Sequence, residues 1–106
     1  MPSKTLGSVL AEARKKNDFS LREVAERVKK EDGEPISPQY LNDIEHDRRT
    51  PSSEVLRGLS RALKVSEDYL NFLAGMLPKD LKALSVNEET VDLAYSLFRK
   101  KLDDRR

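Results

Sequence analysis

The sequence predicts an all-α protein, a five-helix bundle followed by a C-terminal helical extension. Three observations carry this. Apolar residues recur at the i, i+3, i+4, i+7 spacing of amphipathic helices in one segment after another. Five prolines and four glycines are expected to lie at segment edges. Ser and Asn residues stand just before several apolar runs, where helix N-caps belong.

Leu6, Val9, Leu10 and Ala13 mark one face of a first helix. Ser20 opens a second, with Glu23 three positions on completing an S-x-x-E capping box. Phe19 and Val24 flank that cap at hydrophobic-staple spacing, and Val24, Ala25 and Val28 supply the buried stripe. Ser37-Pro38 starts a third helix, with proline at the first helical position, where its missing N–H costs nothing. Ile36 and Leu41 repeat the staple, and Ile44 continues the inner face. Pro51-Ser52 begins a fourth helix carrying Val55, Leu56, Leu59, Ala62 and Leu63. Val65-Ser66 begins a fifth, with Leu70 and Leu73 inward and Glu67 and Asp68 suited to the positive end of its dipole.

After Gly75 the character changes. Pro78 breaks the chain, a short KDLKAL segment follows, and Asn87 caps a last helix. Its apolar stripe is Val91, Ala94, Tyr95, Phe98 and Leu102, widened by Leu93 and Leu97. The terminal DDRR is expected to fray. The domain organisation is therefore residues 1–76 as the bundle and 77–106 as the extension.

Composition narrows the function. The 106 residues include no Cys and no Trp, which excludes a disulfide framework and any thiolate metal site and fits a reducing cytoplasm. The longest apolar stretch, Phe72–Leu77, falls far short of a bilayer span, and the segment MPSKTLGS lacks the apolar core of a signal peptide. One His, no Gly-rich phosphate loop and no His/carboxylate ligand spacing leave no catalytic residue, metal site or cofactor to name, so no enzyme is expected. Lys and Arg number 20 against 19 Asp and Glu, with neither half biased. The basic surplus usual in a nucleic-acid binder is missing, so a DNA-binding reading rests on motif and geometry.

The informative pair is the second and third helices. A capped helix with a small inner residue, Ala25, a turn, then a Pro-started helix with polar residues outward is the pattern of a helix-turn-helix. The second helix of such a pair can enter a major groove about 12 Å wide. Here its outer face carries Gln39, Asn42, Asp43 and His46.

Over residues 5–75 the chain resembles the XRE (phage-repressor and Cro-like) helix-turn-helix family. The resemblance is carried by Arg14 six residues before the helix-2 cap, Val24-Ala25, the YL-x-x-IE of helix 3, the RR-x-P-S after it, and L-x-x-L-x-x-A-L-x-V-S-x-D-Y-L. It implies a phage-repressor-like fold. It also implies base readout from Gln39 at the start of the recognition helix, with Ser37 and Pro38 beside it and Asn42 and Asp43 one turn on. Ser20, His46, Arg48 and Arg49 are implied as phosphate contacts, and Arg14 with Glu45 as a structural ion pair. The chain departs from the family in three places. The two helices are normally joined by about 3–4 residues, yet Lys29–Ile36 inserts about six more. Leu21 replaces a phosphate-contacting Gln, and His46-Asp47 replaces Asn-Gly.

The chemistry of these side chains agrees. Gln and Asn can pair bidentately with adenine, Asp can accept from cytosine, and each Arg can neutralise a phosphate. The expected function is a sequence-specific transcriptional regulator, a repressor, binding double-stranded DNA as a homodimer. The stripe of Val91, Ala94, Tyr95, Phe98 and Leu102 either packs back on its own domain or, the favoured reading, pairs with the same helix of a second chain. The competing expectation is an antitoxin-like or partner-controlled module, bound by a toxin or protease, with DNA contact secondary. Neither involves a membrane.

Overall fold

The computed structural model describes residues 4–82 and 84–104, and seven helices lie within them. They are α1 (Leu6–Lys16), α2 (Leu21–Arg27), α3 (Pro38–Glu45), α4 (Ser53–Leu63), α5 (Glu67–Leu73), α6 (Lys79–Lys82) and α7 (Glu88–Asp103). The expected fraying of the C-terminus concerns in part Arg105 and Arg106, which lie outside the described residues, as does Ala83 of the KDLKAL segment.

Helix starts follow the polar residues before them. Ser20 and Glu23 form a reciprocal capping box, Ser37 caps α3 ahead of Pro38, and Ser52, Ser66 and Asn87 cap α4, α5 and α7. Thr5 and Ser8 make a second capping box on α1, a T-x-x-S pairing in which Ser takes the place of the usual Glu or Gln.

Helix ends are less conventional. Asp18, Asp47 and Lys64 adopt left-handed backbone at φ 60°, 59° and 57°, where glycine is usual. At α3 the N–H of Asp47 bonds the carbonyl of Ile44 and that of Arg48 bonds the carbonyl of Asp43, the two bonds of a Schellman motif. The same pair of bonds closes α1 at Asp18 and Phe19. Asp is among the few non-glycine residues that occupy this region readily, because its short side chain bonds locally. The expectation that glycines mark segment edges holds for Gly33 and Gly75 but fails for Gly7 and Gly58, which sit inside α1 and α4.

One core unites α1 to α5. Leu10, Val24, Ala25, Val28, Leu41, Ile44, Leu59 and Leu70 are fully buried in it, with Leu6, Val9, Ile36, Val55, Leu56 and Leu63 completing the cluster. α3 packs across α1 and α2, and α4 closes the opposite side against α1, α2 and α5. Gly7 is required where α1 crosses the end of α3. A Cβ there would collide with the Glu45 carbonyl oxygen, 2.6 Å from that of Ile44 and 2.7 Å from Asp47 Oδ1.

The long α2–α3 connection is a closed hairpin rather than an open loop. Lys29 and Pro35 form an antiparallel bridge, with Ile36 N–H to Val28 carbonyl at 2.9 Å and Lys30 N–H to Glu34 carbonyl at 2.8 Å. Gly33 turns it at φ 87°. None of the residues of α7 is buried. Its Phe98 stacks on Phe72 of α5 with ring centroids 5.5 Å apart.

Candidate nucleic-acid interface

α3 is amphipathic by construction. Leu41 and Ile44 face the core, Gln39 is exposed, and Asn42 and Asp43 are half-buried at the edge of the outer face. Ser37 Oγ accepts the Tyr40 N–H at 3.0 Å, which fixes the first turn of α3. Pro38 is exposed at its tip.

The outer face carries one polar cluster. Gln39 Nε2 donates to Asp43 Oδ1 at 3.0 Å, and Arg48 donates to the same oxygen from Nε at 3.1 Å and Nη2 at 2.9 Å. Arg48 holds the Asp43 carboxyl below its ordinary value, outweighing the opposite push of burial, and Gln39 and Arg49 act in the same direction as Arg48. Three side chains implied as separate DNA contacts therefore touch one another. Arg49 acts on Asp43 through its charge but makes no hydrogen bond in this cluster among the described residues; its guanidinium lies 4.5 Å from the centre of the Tyr40 ring. A cation over an aromatic face at this range is held without losing its charge.

His46 is exposed and caps α3, with Nδ1 2.8 Å from the Asn42 carbonyl oxygen. A carbonyl accepts only, so Nδ1 carries the proton and Nε2 is the other ring nitrogen. Ser20 is exposed at the start of α2. Its Oγ accepts from Glu23 N–H at 3.1 Å. The Glu23 carboxyl is held below its ordinary value chiefly by the Ser20 backbone N–H, with the Ser20 hydroxyl adding to it.

Behind this face lies the support. Arg14 Nε and Nη2 donate to the two oxygens of Glu45 at 2.7 and 3.0 Å, a bidentate pair whose side chains are 13% and 5% exposed. Arg14 Nη1 also donates to the Phe19 carbonyl at 2.9 Å. The Glu45 bond raises the Arg14 pKa above its ordinary value. Beside it, Asp47 accepts from Thr5 Oγ1 at 2.7 Å and from Gly7 N–H at 2.9 Å. Sequence reasoning missed Asp47, Thr5 and Gly7. The signal was the Asp standing where the family has glycine.

The hairpin before α3 exposes Glu31, Asp32 and Glu34, with Lys30 3.9 Å from Asp32. Among the described residues no cluster of metal-ligand type forms, and no helix is long and apolar enough to cross a membrane.

A small capped helix, a connection, and a second helix whose polar face is open to solvent define a helix-turn-helix domain. The helix-turn-helix family profile (HTH_3) matches residues 10–70, and the chain belongs to this XRE-type family of DNA-binding transcriptional regulators rather than to an enzyme family. Two similar proteins are uncharacterised HTH-type transcriptional regulators of Mycobacterium tuberculosis, one from strain CDC 1551 / Oshkosh and one from strain H37Rv. Each is 35% identical over 71 residues, which is 67% of this chain and 46% of the relative. The chain thus spans about half the length of these relatives. Among solved structures, the SinR protein/SinI protein complex is similar with a TM-score of 0.52 and 27% identity, over 95% of this chain and 94% of that one.

Proposed function

We propose that the protein is a sequence-specific transcriptional repressor that binds an inverted-repeat operator as a homodimer in the cytoplasm. The observation that carries this reading is the exposed polar face of α3, with Gln39, Asn42 and Asp43 on a helix whose start is fixed by Ser37 and Pro38. Residues 1–76 form the DNA-binding unit. In this reading Ser20, His46, Arg48 and Arg49 meet phosphates, and Gln39, Asn42 and Asp43 meet base edges. His46 turns its Nε2 edge to the phosphate, since Nδ1 is committed to the Asn42 carbonyl.

Residues 77–106 serve dimerisation in this reading. Val91, Ala94, Tyr95, Phe98 and Leu102 line α7 and are exposed, and an apolar stripe of this length in water is stabilised by a second copy. Two copies would present two recognition helices to half-sites about one helical turn apart. The test is a duplex-library selection with the full chain at physiological salt. An enriched inverted repeat is expected, and enrichment of no sequence overturns the reading.

A second reading is favoured by the same stripe. α7 would bind a different protein, a toxin or protease, that controls a weaker DNA contact. The structural neighbour is itself a complex of two proteins. Sedimentation of the pure chain separates the two readings: a dimer at micromolar concentration supports the first, and a monomer supports the second.

A further inference from the structure

We propose that Arg48 reads a guanine base rather than a phosphate, and that Asp43 is the positioning residue that aims it. This rests on the DNA-binding reading above and assigns the roles within it differently. The Schellman motif that ends α3 places the side chain of its last residue, Arg48, over that of Asp43, a pair of positions commonly filled by an apolar contact. Here the contact is ionic. Arg48 is clamped to Asp43 twice, by its backbone N–H to the Asp43 carbonyl at 2.8 Å and by its guanidinium to Oδ1.

A guanidinium offers two bidentate edges, one through Nε and Nη2 and one through Nη1 and Nη2. Asp43 takes the first. Nη1 makes no hydrogen bond among the described residues, so the second edge remains for a ligand. That edge matches the O6 and N7 acceptors of guanine in the major groove. The guanidinium rests on Asp43, one turn along α3 from Gln39, which bonds to the same Asp43 oxygen.

Charge decides between the two ligands. A phosphate contact gains its strength from a net positive charge that displaces counterions. A carboxylate 2.9 Å from Nη2 cancels most of that charge. A base edge carries no net charge and rewards orientation instead, which the clamp supplies. Arg49, held over Tyr40 with its charge intact, is the better phosphate ligand.

The test is the duplex-library selection on the wild type and on Arg48→Ala, Asp43→Asn and Arg49→Ala, with affinities for the selected duplex measured across a salt series. The wild type should enrich a guanine at one position of each half-site. Arg48→Ala should lose that preference alone and weaken on the cognate duplex by roughly ten- to a hundredfold, with its salt dependence unchanged. Arg49→Ala should weaken all duplexes alike and lower the salt slope by about one. Asp43→Asn should broaden the guanine position without weakening binding to unselected DNA, an effect that simple loss of stability does not produce. If Arg48→Ala keeps every base preference, or loses affinity for all duplexes together with one unit of slope, Arg48 is a phosphate ligand and the inference fails alone. If the wild type enriches no sequence, the DNA-binding reading fails with it.

Discussion

The five-helix body and α7 use the same residue types to opposite ends. In the body, Leu10, Leu41, Leu59 and Leu70 are wholly buried, and each end of α3 is tied down by a cap or by Asp43, Glu45 or Asp47. In α7, Leu93, Leu97 and Leu102 are about half exposed or more, and the Phe72–Phe98 stack is the aromatic contact with the body. α7 has a well-capped start at Asn87 and good helical spacing, so its formation is a local matter. Periodicity specifies which face is apolar. Whether that face is covered depends on what else is present.

Breaking one partner of the buried Arg14–Glu45 pair should be the most damaging change. Arg14→Ala strands a carboxylate that is 5% exposed, and denaturant unfolding should show a loss of about 3–5 kcal/mol. Leu59→Ala removes a side chain with no exposure and should cost about 3 kcal/mol, whereas Leu97→Ala in α7 should stay within about 0.5 kcal/mol in the dilute monomer. An equal loss at both sites would erase the contrast between the regions. Asp47→Ala should cost about 1–2 kcal/mol, since it removes the acceptor for Thr5 and Gly7 and strains a left-handed position.

Tyr95→Asp together with Leu102→Asp, which leaves the Phe72–Phe98 stack in place, should leave the unfolding midpoint of the body unchanged and abolish self-association in sedimentation, if a second copy covers α7. The smallest effect concerns pH. The Asp43 carboxyl is held below its ordinary value by Arg48, so the pair contributes above the usual carboxylate range and the contribution disappears as acid protonates Asp43. The stability gap between wild type and Arg48→Ala should therefore exist at neutral pH and close below about pH 4, a comparison readable by thermal melts.

The helices were legible because apolar spacing and polar caps are local signals, and the α2, α3, α4, α5 and α7 caps stand where Ser20, Ser37, Ser52, Ser66 and Asn87 were read. The left-handed ends at Asp18, Asp47 and Lys64 were not, since glycine was the signal sought and its absence at Asp47 read as a departure. The bridge between Lys29 and Pro35 escaped for a similar reason: two paired residues are too few for an alternating pattern. On the outer face, residue type suggested a ligand for each side chain taken singly. That Gln39 and Arg48 converge on Asp43 depends on how α3 ends, which the residue types alone did not reveal.

The Asp47 carboxylate joins two segments some forty residues apart in sequence, accepting from Thr5 and Gly7 at the start of α1 while its own backbone closes α3. Helix termini ordinarily fray independently and exchange their amide hydrogens first. Here neither terminus can open without releasing the other. In native-state hydrogen exchange, the amides of Gly7 and Arg48 should open as one cooperative unit, with matched protection that rises and falls together across denaturant. The end of α3 is thereby coupled to the start of α1.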